Sequence, residues 1–227
     1  MVFAAASLSD AFGQIAVEFE VAHPSVKVLL NLAPSSELAI QLAEGAAADV
    51  FASASQAQMQ VAADPGRLAG QPVVFATNQL TILAPADNPA DLHTPADLAK
   101  PGLRLVLAAP GAPVRQYSDQ RIALMGDAVF QTAVYANLAS EEPNVRQVAT
   151  RVLLGEADAG IVYASDVTPD IAGRVLQIAI QAAQNVVATY PIVVVGEAPG
   201  GEVAQAFADF VLGPDGQSIL QEWGFGN

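Results

Sequence analysis

Short apolar runs alternate with amphipathic stretches at helical spacing along this chain, in two series, and this restricts it to an α/β architecture. Residues 2–6 read as a buried strand. Phe12, Ile15, Ala16 and Phe19 then recur on one helical face until Pro24 breaks the helix. Residues 26–32 are the next predicted strand, Leu38 and Leu42 mark a helix that stops at Gly45, and residues 49–54 are a third strand. That βαβαβ order is half of a doubly wound lobe. Residues 80–84 form an apolar strand ended by Pro85, and 85–101, rich in Pro, Asp and Asn, suit a surface connection. The second series predicts a strand at 103–108, helices at 114–125, 128–136 and 145–154, and strands at 161–163, 175–180 and 190–195. Helices at 203–212 and 215–223 close the chain.

Two series of similar size predict two lobes, each a mixed sheet flanked by helices. Only residues 80–84 and 190–195 look suited to crossing between them as a pair of hinge strands. Lobe I is then residues 1–80 with 193–227, and lobe II residues 83–190. In such a fold the ligand is expected in a cleft at the carboxyl ends of the strands.

Charge and composition exclude several functions. Nine basic residues face 23 acidic ones, a net charge of −14, which argues against the basic footprint of a nucleic-acid binder. Cysteine is absent, which removes disulfides, thiolate metal sites and a thiol nucleophile. No apolar run approaches the roughly 18 residues of a membrane span. Neither a charged n-region nor an apolar h-region precedes the first strand, so Met1 is expected to open a chain trimmed of its leader.

Serine placement is the most informative local feature. Ser7 lies between the first strand and first helix, and Ser35 and Ser36 lie between the second strand and second helix. A serine there serves commonly as a helix cap, and Ser7-x-x-Asp10 has the form of a capping box. The other reading is an anion site, built from hydroxyls and the free N–H groups of helix starts, with no cationic side chain needed.

Several stretches resemble the periplasmic molybdate-binding proteins, in order and over nearly the whole chain. They are Val2-Phe3-Ala4-Ala5-Ala6-Ser7-Leu8-Ser9-Asp10-Ala11, Asn31-Leu32-Ala33-Pro34-Ser35-Ser36-Glu37, the approach and strand from Glu44 to Ala54, Gly160-Ile161-Val162-Tyr163, and the C-terminal helices ending Trp223-Gly224-Phe225. The resemblance implies a type II periplasmic-binding fold that holds a tetrahedral oxyanion, molybdate or tungstate. Its expected ligands are Ser7 and Ser35 by hydroxyl and amide, Val114 and Val145 by amide, and Tyr163 by its phenol, with Ser36 as the fallback in the Ser-Ser pair. The metal travels inside the oxyanion and is not coordinated directly, so no cofactor is expected. The implied setting is periplasmic or extracytoplasmic, with a lipid anchor open, a monomeric chain, and the membrane permease of an ABC importer as partner. Arg115 reads as a surface charge or as a long-range attraction near the ligand. His23 reads as turn and His93 as a surface helix entry.

Other classes fit less well. A serine hydrolase needs a base near Ser7 or Ser35, yet there is no G-x-S-x-G elbow and both histidines sit in loops. A metalloenzyme lacks ligand clusters, and a transcription-factor lobe lacks a basic face. The runner-up is a binding protein for another oxyanion such as sulfate or phosphate.

Overall fold

The computed structural model describes residues 1–181, 185–196 and 201–226. The chain divides into two compact units, Met1–Asn78 with Ala188–Asn227, and Gln79–Val187.

In the first unit β1 (Val2–Ala5) lies between β2 (Leu30–Ala33) and β3 (Val50–Ala52), parallel to both. β9 (Val187–Val194) adds antiparallel to β3. All four β1 residues are buried, as expected for a strand covered on both faces. Helices α1 (Ser9–Ala22), α7 (Gly201–Leu212) and α8 (Pro214–Glu222) pack together, α1 against α7 through aromatic edges. Phe19 meets Phe207 and Phe210 at centroid distances of 5.2 and 5.6 Å. The apolar faces of α2 (Ser35–Ala43) and α3 (Gln56–Ala63) form a second cluster, in which Leu38, Leu42 and Met59 meet Phe3 and Phe51.

In the second unit β5 (Leu105–Ala108) lies parallel to both β6 (Leu138–Glu142) and β7 (Ala159–Tyr163). β4 (Val73–Pro85) runs antiparallel to β7 and to β8 (Val175–Ala179). Helices α4 (Pro113–Met125), α5 (Ala128–Ala136) and α6 (Val145–Leu153) complete the unit. Gly160 on β7 permits a close approach of α6: a methyl there would come within 2.8 Å of Val148 and 3.0 Å of Val152. β4 and β9, hydrogen-bonded neighbours, both carry the chain across the unit boundary.

Several elements differ from the sequence expectation. β2 starts only at Leu30, because the Val28 N–H and the Lys27 ammonium are both taken by the Glu20 carboxylate, at 2.8 and 2.7 Å. β4 begins at Val73, seven residues before the expected strand, since the polar Thr77-Asn78-Gln79 breaks the apolar run but not the ladder. Two elements, α3 and β6, have no counterpart in the expected pattern. Each buries too few apolar side chains to show a period: Met59 and Ala62 in α3, and only Glu142 in β6. The surface connection at 85–101 buries Leu92 and Leu98 and contains a 3-10 turn at Pro95–Ala99.

Candidate functional site

Strand register brings the two expected serines to one edge. Ala5 pairs with Ala33 across the parallel β1–β2 ladder, and Ser7 and Ser35 each stand two residues beyond that pair. Neither serine acts as a cap. A 3-10 turn, Ala6–Leu8, precedes α1, so the N-cap position of α1 falls on Leu8 and not on Ser7. The N-cap of α2 is Pro34, and Ser35 is already helical.

Both serines are buried, at 3% and 1% exposure, and their hydroxyls are held from distant parts of the unit. Ser7 Oγ lies 3.0 Å from the Tyr190 hydroxyl, and either can donate. Tyr190 is fully buried on β9, its ring edged by Phe225 at 5.3 Å and Phe75 at 6.3 Å. Ser35 Oγ accepts the Ala54 N–H at 3.0 Å from the end of β3. Ser36 is only half-buried. The third strand-to-helix junction carries two more buried serines. Ser53 Oγ donates to Ser55 O at 2.9 Å and accepts from Ser55 N, while Ser55 caps α3 through the Ala57 N–H. These two are occupied in shaping their own turn.

In the second unit the expected donors also share one edge. β5, β6 and β7 are parallel, and Val114, Val145 and Tyr163 all follow or end their carboxyl termini. Gly111, at φ +94°, makes the turn that leads from β5 into α4. Within α4 the first backbone bond comes from Arg115 N–H to Ala112 O at 3.0 Å. In α6 the Asn144 side chain caps Gln147 N–H at 3.1 Å. The Val114 and Val145 N–H groups precede these bonds, as helix starts require, and point their dipoles outward from positive helix ends. Tyr163 is buried at the end of β7 and edges Tyr117 at 6.3 Å.

Arg115 is not a loose surface charge. Its side chain is 12% exposed and is shared among Asp119 at 2.8 Å, Ala108 O at 3.1 Å and Glu141. Burial works against its charge, yet the bonds to Glu141 and Asp119 hold the guanidinium above the usual arginine range. Asp119 also accepts from the Tyr135 phenol at 2.7 Å. Burial first, then that bond, pushes Tyr135 up to about 12. His23 ends α1, stacked on Phe19, and His93 is exposed beside Asp91. Sequence reasoning missed Tyr190 and the Arg146–Asp166 pair described below. No local pattern signals either, because Tyr190 stands 183 residues from Ser7.

Among the described residues no group of three or more His, Cys, Asp or Glu could hold a metal ion, and no helix is long and apolar enough to cross a membrane. The edge positions in each unit are neutral hydroxyls and helix-start amides, groups able to donate hydrogen bonds to an anion. The model of one family, the bacterial extracellular solute-binding proteins, matches residues 1–226. The chain belongs to that family. It is thus a solute-binding protein and not an enzyme. It is 43% identical over 225 residues to the molybdate-binding protein ModA of Mycobacterium tuberculosis, covering 99% of this chain and 83% of that one. The periplasmic molybdate-binding protein of Azotobacter vinelandii has the same fold, with a TM-score of 0.87 at 19% identity over 100% of this chain and 98% of that one. The sulfate-binding protein SubI of Mycobacterium tuberculosis matches as well, with a TM-score of 0.88 at 17% identity over 99% and 85%. These likenesses establish the type II periplasmic-binding fold for this solute-binding chain, each unit a mixed sheet flanked by helices.

Proposed function

We propose that this chain captures molybdate or tungstate outside the cytoplasm and delivers it to the membrane permease of an ABC importer. The two units act as the two lobes. Ser7 and Ser35, through hydroxyl and amide, and the amides of Val114 and Val145 with the Tyr163 phenol, donate to one tetrahedral oxyanion. The observation that carries the reading is the 43% identity to a molybdate-binding protein over 99% of the chain. Fold alone does not choose the ligand, since the sulfate- and molybdate-binding neighbours match equally well.

Physical chemistry supports a neutral site. A dianion taken out of water must be fully hydrogen-bonded, or its desolvation dominates. Bonds to charged groups contribute about 1.5–3 kcal/mol each. About seven of them, less the cost of association, reach submicromolar affinity. A set made only of donors also disfavours monohydrogen phosphate, whose proton needs an acceptor. Sulfate matches the charge but is smaller, and amides fixed on helix starts cannot close around it. Losing two of about seven bonds costs roughly 3–6 kcal/mol, hundreds- to many thousandfold in affinity.

Calorimetric titration of each anion into ligand-free protein tests this. Tight, similar binding of molybdate and tungstate with very weak sulfate and phosphate is expected. Sulfate within about tenfold of molybdate would move the chain to the reading its SubI-like fold allows, a binding protein for another oxyanion.

A further inference from the structure

The second unit contains a charged contact that the donor set does not use. Arg146 directly follows Val145 in the first turn of α6, a place where the helix dipole disfavours a cation and where α6 has no acidic residue. Its reason is tertiary. Arg146 Nε lies 3.0 Å from Asp166 Oδ1, and Asp166 is wholly buried in the 3-10 turn that follows β7. The other carboxylate oxygen, Oδ2, accepts the backbone N–H of Tyr163 at 3.1 Å. One buried carboxylate therefore links the start of α6 to the end of β7, the two places that carry the Val145 amide and the Tyr163 phenol. Gly160 lets the same helix and strand approach closely.

The opposite end of these elements has its own clamp. Arg104, just before β5, bonds Asp158, just before β7, through Nε at 3.2 Å and through its backbone N–H at 2.8 Å. It lies at the amino ends of the parallel strands, away from the donor edge, and it serves as an internal control.

We propose that Arg146 is a positioning residue for the bound oxyanion, acting through Asp166 to fix the Tyr163 phenol and, at its own helix start, the Val145 amide. This rests on the oxyanion reading above. Without Arg146 the buried Asp166 loses the cation that stands 3.0 Å from its Oδ1, so its turn shifts or the carboxyl takes up a proton. Either change weakens its hold on the Tyr163 N–H. A hydrogen bond weakens steeply with misalignment, so a small displacement of the phenol lowers anion affinity although Arg146 donates nothing to the anion.

The test is calorimetric titration of molybdate into the wild type, Arg146→Ala, Arg146→Lys, Asp166→Asn, Arg104→Ala, Tyr163→Phe, Ser7→Ala and two double variants, with a thermal melt of each. Arg146→Ala is expected to weaken molybdate binding about tenfold. Arg146→Lys, which keeps the charge, should recover part of that loss, and Asp166→Asn should share it. Arg104→Ala should lower the melting temperature yet keep affinity within about twofold. Arg146→Ala combined with Tyr163→Phe should lose less than the product of the single losses, because both act through one phenol. Combined with Ser7→Ala the losses should multiply. Wild-type affinity in Arg146→Ala, or full multiplication with Tyr163→Phe, overturns the positioning role while Ser7→Ala and Tyr163→Phe still show the site. A wild type that fails to bind molybdate overturns the oxyanion reading and this inference together.

Discussion

In the first unit the candidate donors are held by neutral groups: Ser7 by a phenol, Ser35 by a backbone N–H. In the second unit they are held by charge, Arg115 with Asp119 and Glu141 beside Val114, and Arg146 with Asp166 between Val145 and Tyr163. The helix starts differ in the same sense. α1 and α2 carry Asp10 and Glu37 in their first turns, whereas α4 and α6 carry no acid there and an arginine each. A serine hydroxyl can rotate, and needs only one neighbour to aim it. A backbone amide cannot rotate on its own, and the charged contacts of Arg115 and Arg146 lie at the helix starts that carry the Val114 and Val145 amides. On the proposed reading, pairing each arginine with carboxylates keeps its charge from acting as a ligand for the dianion.

The largest expected effect breaks the charged side of this contrast. Asp166→Ala removes the wholly buried carboxylate that pairs with Arg146 and accepts the Tyr163 N–H, and should destabilise the chain by about 1–3 kcal/mol, several degrees in melting temperature. Ser35→Ala removes one neutral bond and should cost about 0.5–1.5 kcal/mol. Similar melting temperatures for the two variants would erase the distinction between the units.

Binding should show the reverse order. Ser7→Ala is expected to weaken molybdate binding by about 1.5–3 kcal/mol, ten- to hundredfold, with little change in the melt. Tyr190→Phe removes the group that aims Ser7 but not the ligand itself. Its loss in affinity should be smaller than that of Ser7→Ala, and titration of the pair would rank them. A Tyr190→Phe loss larger than that of Ser7→Ala would mean that Ser7 is not the contact.

The expected strand-to-helix junctions were legible in the sequence because they depend on local pattern. Buried runs such as Val2–Ala5 and the faces of α1, α2, α4 and α6 repeat with the correct period. α3 and β6 were not legible, since polar residues such as Gln56, Gln58, Ser140 and Glu141 dominate them and pairing supplies their stability. The same limit applies to the site. The junction serines are a local signal, but their freedom from capping is not, since it depends on Tyr190 and Ala54 arriving from elsewhere in the chain. Arg115 next to Val114 reads as a surface charge or a long-range attraction, and not as a paired side chain, because Glu141 is 26 residues away.

The smallest expected effect concerns pH. The Arg104 hydrogen bond, outweighing some burial, holds the Asp158 carboxyl below its ordinary value of 3.8. A carboxyl depressed on folding stabilises the fold above its ordinary value and loses that contribution as pH falls through the folded value. The melting-temperature gap between wild type and Arg104→Ala should therefore be constant near neutrality and close below about pH 4. Arg104 is half exposed, so the gap should correspond to less than about 1 kcal/mol. A gap that widens in acid would contradict this sign.

The most direct measurement is a crystal structure grown with molybdate and phased or mapped on the anomalous signal of molybdenum. The expected result is one anion whose oxygens accept hydrogen bonds from Ser7, Ser35, Val114, Val145 and Tyr163, donors drawn from both units. An anion held by only one unit, or seated away from these five residues, would contradict the account.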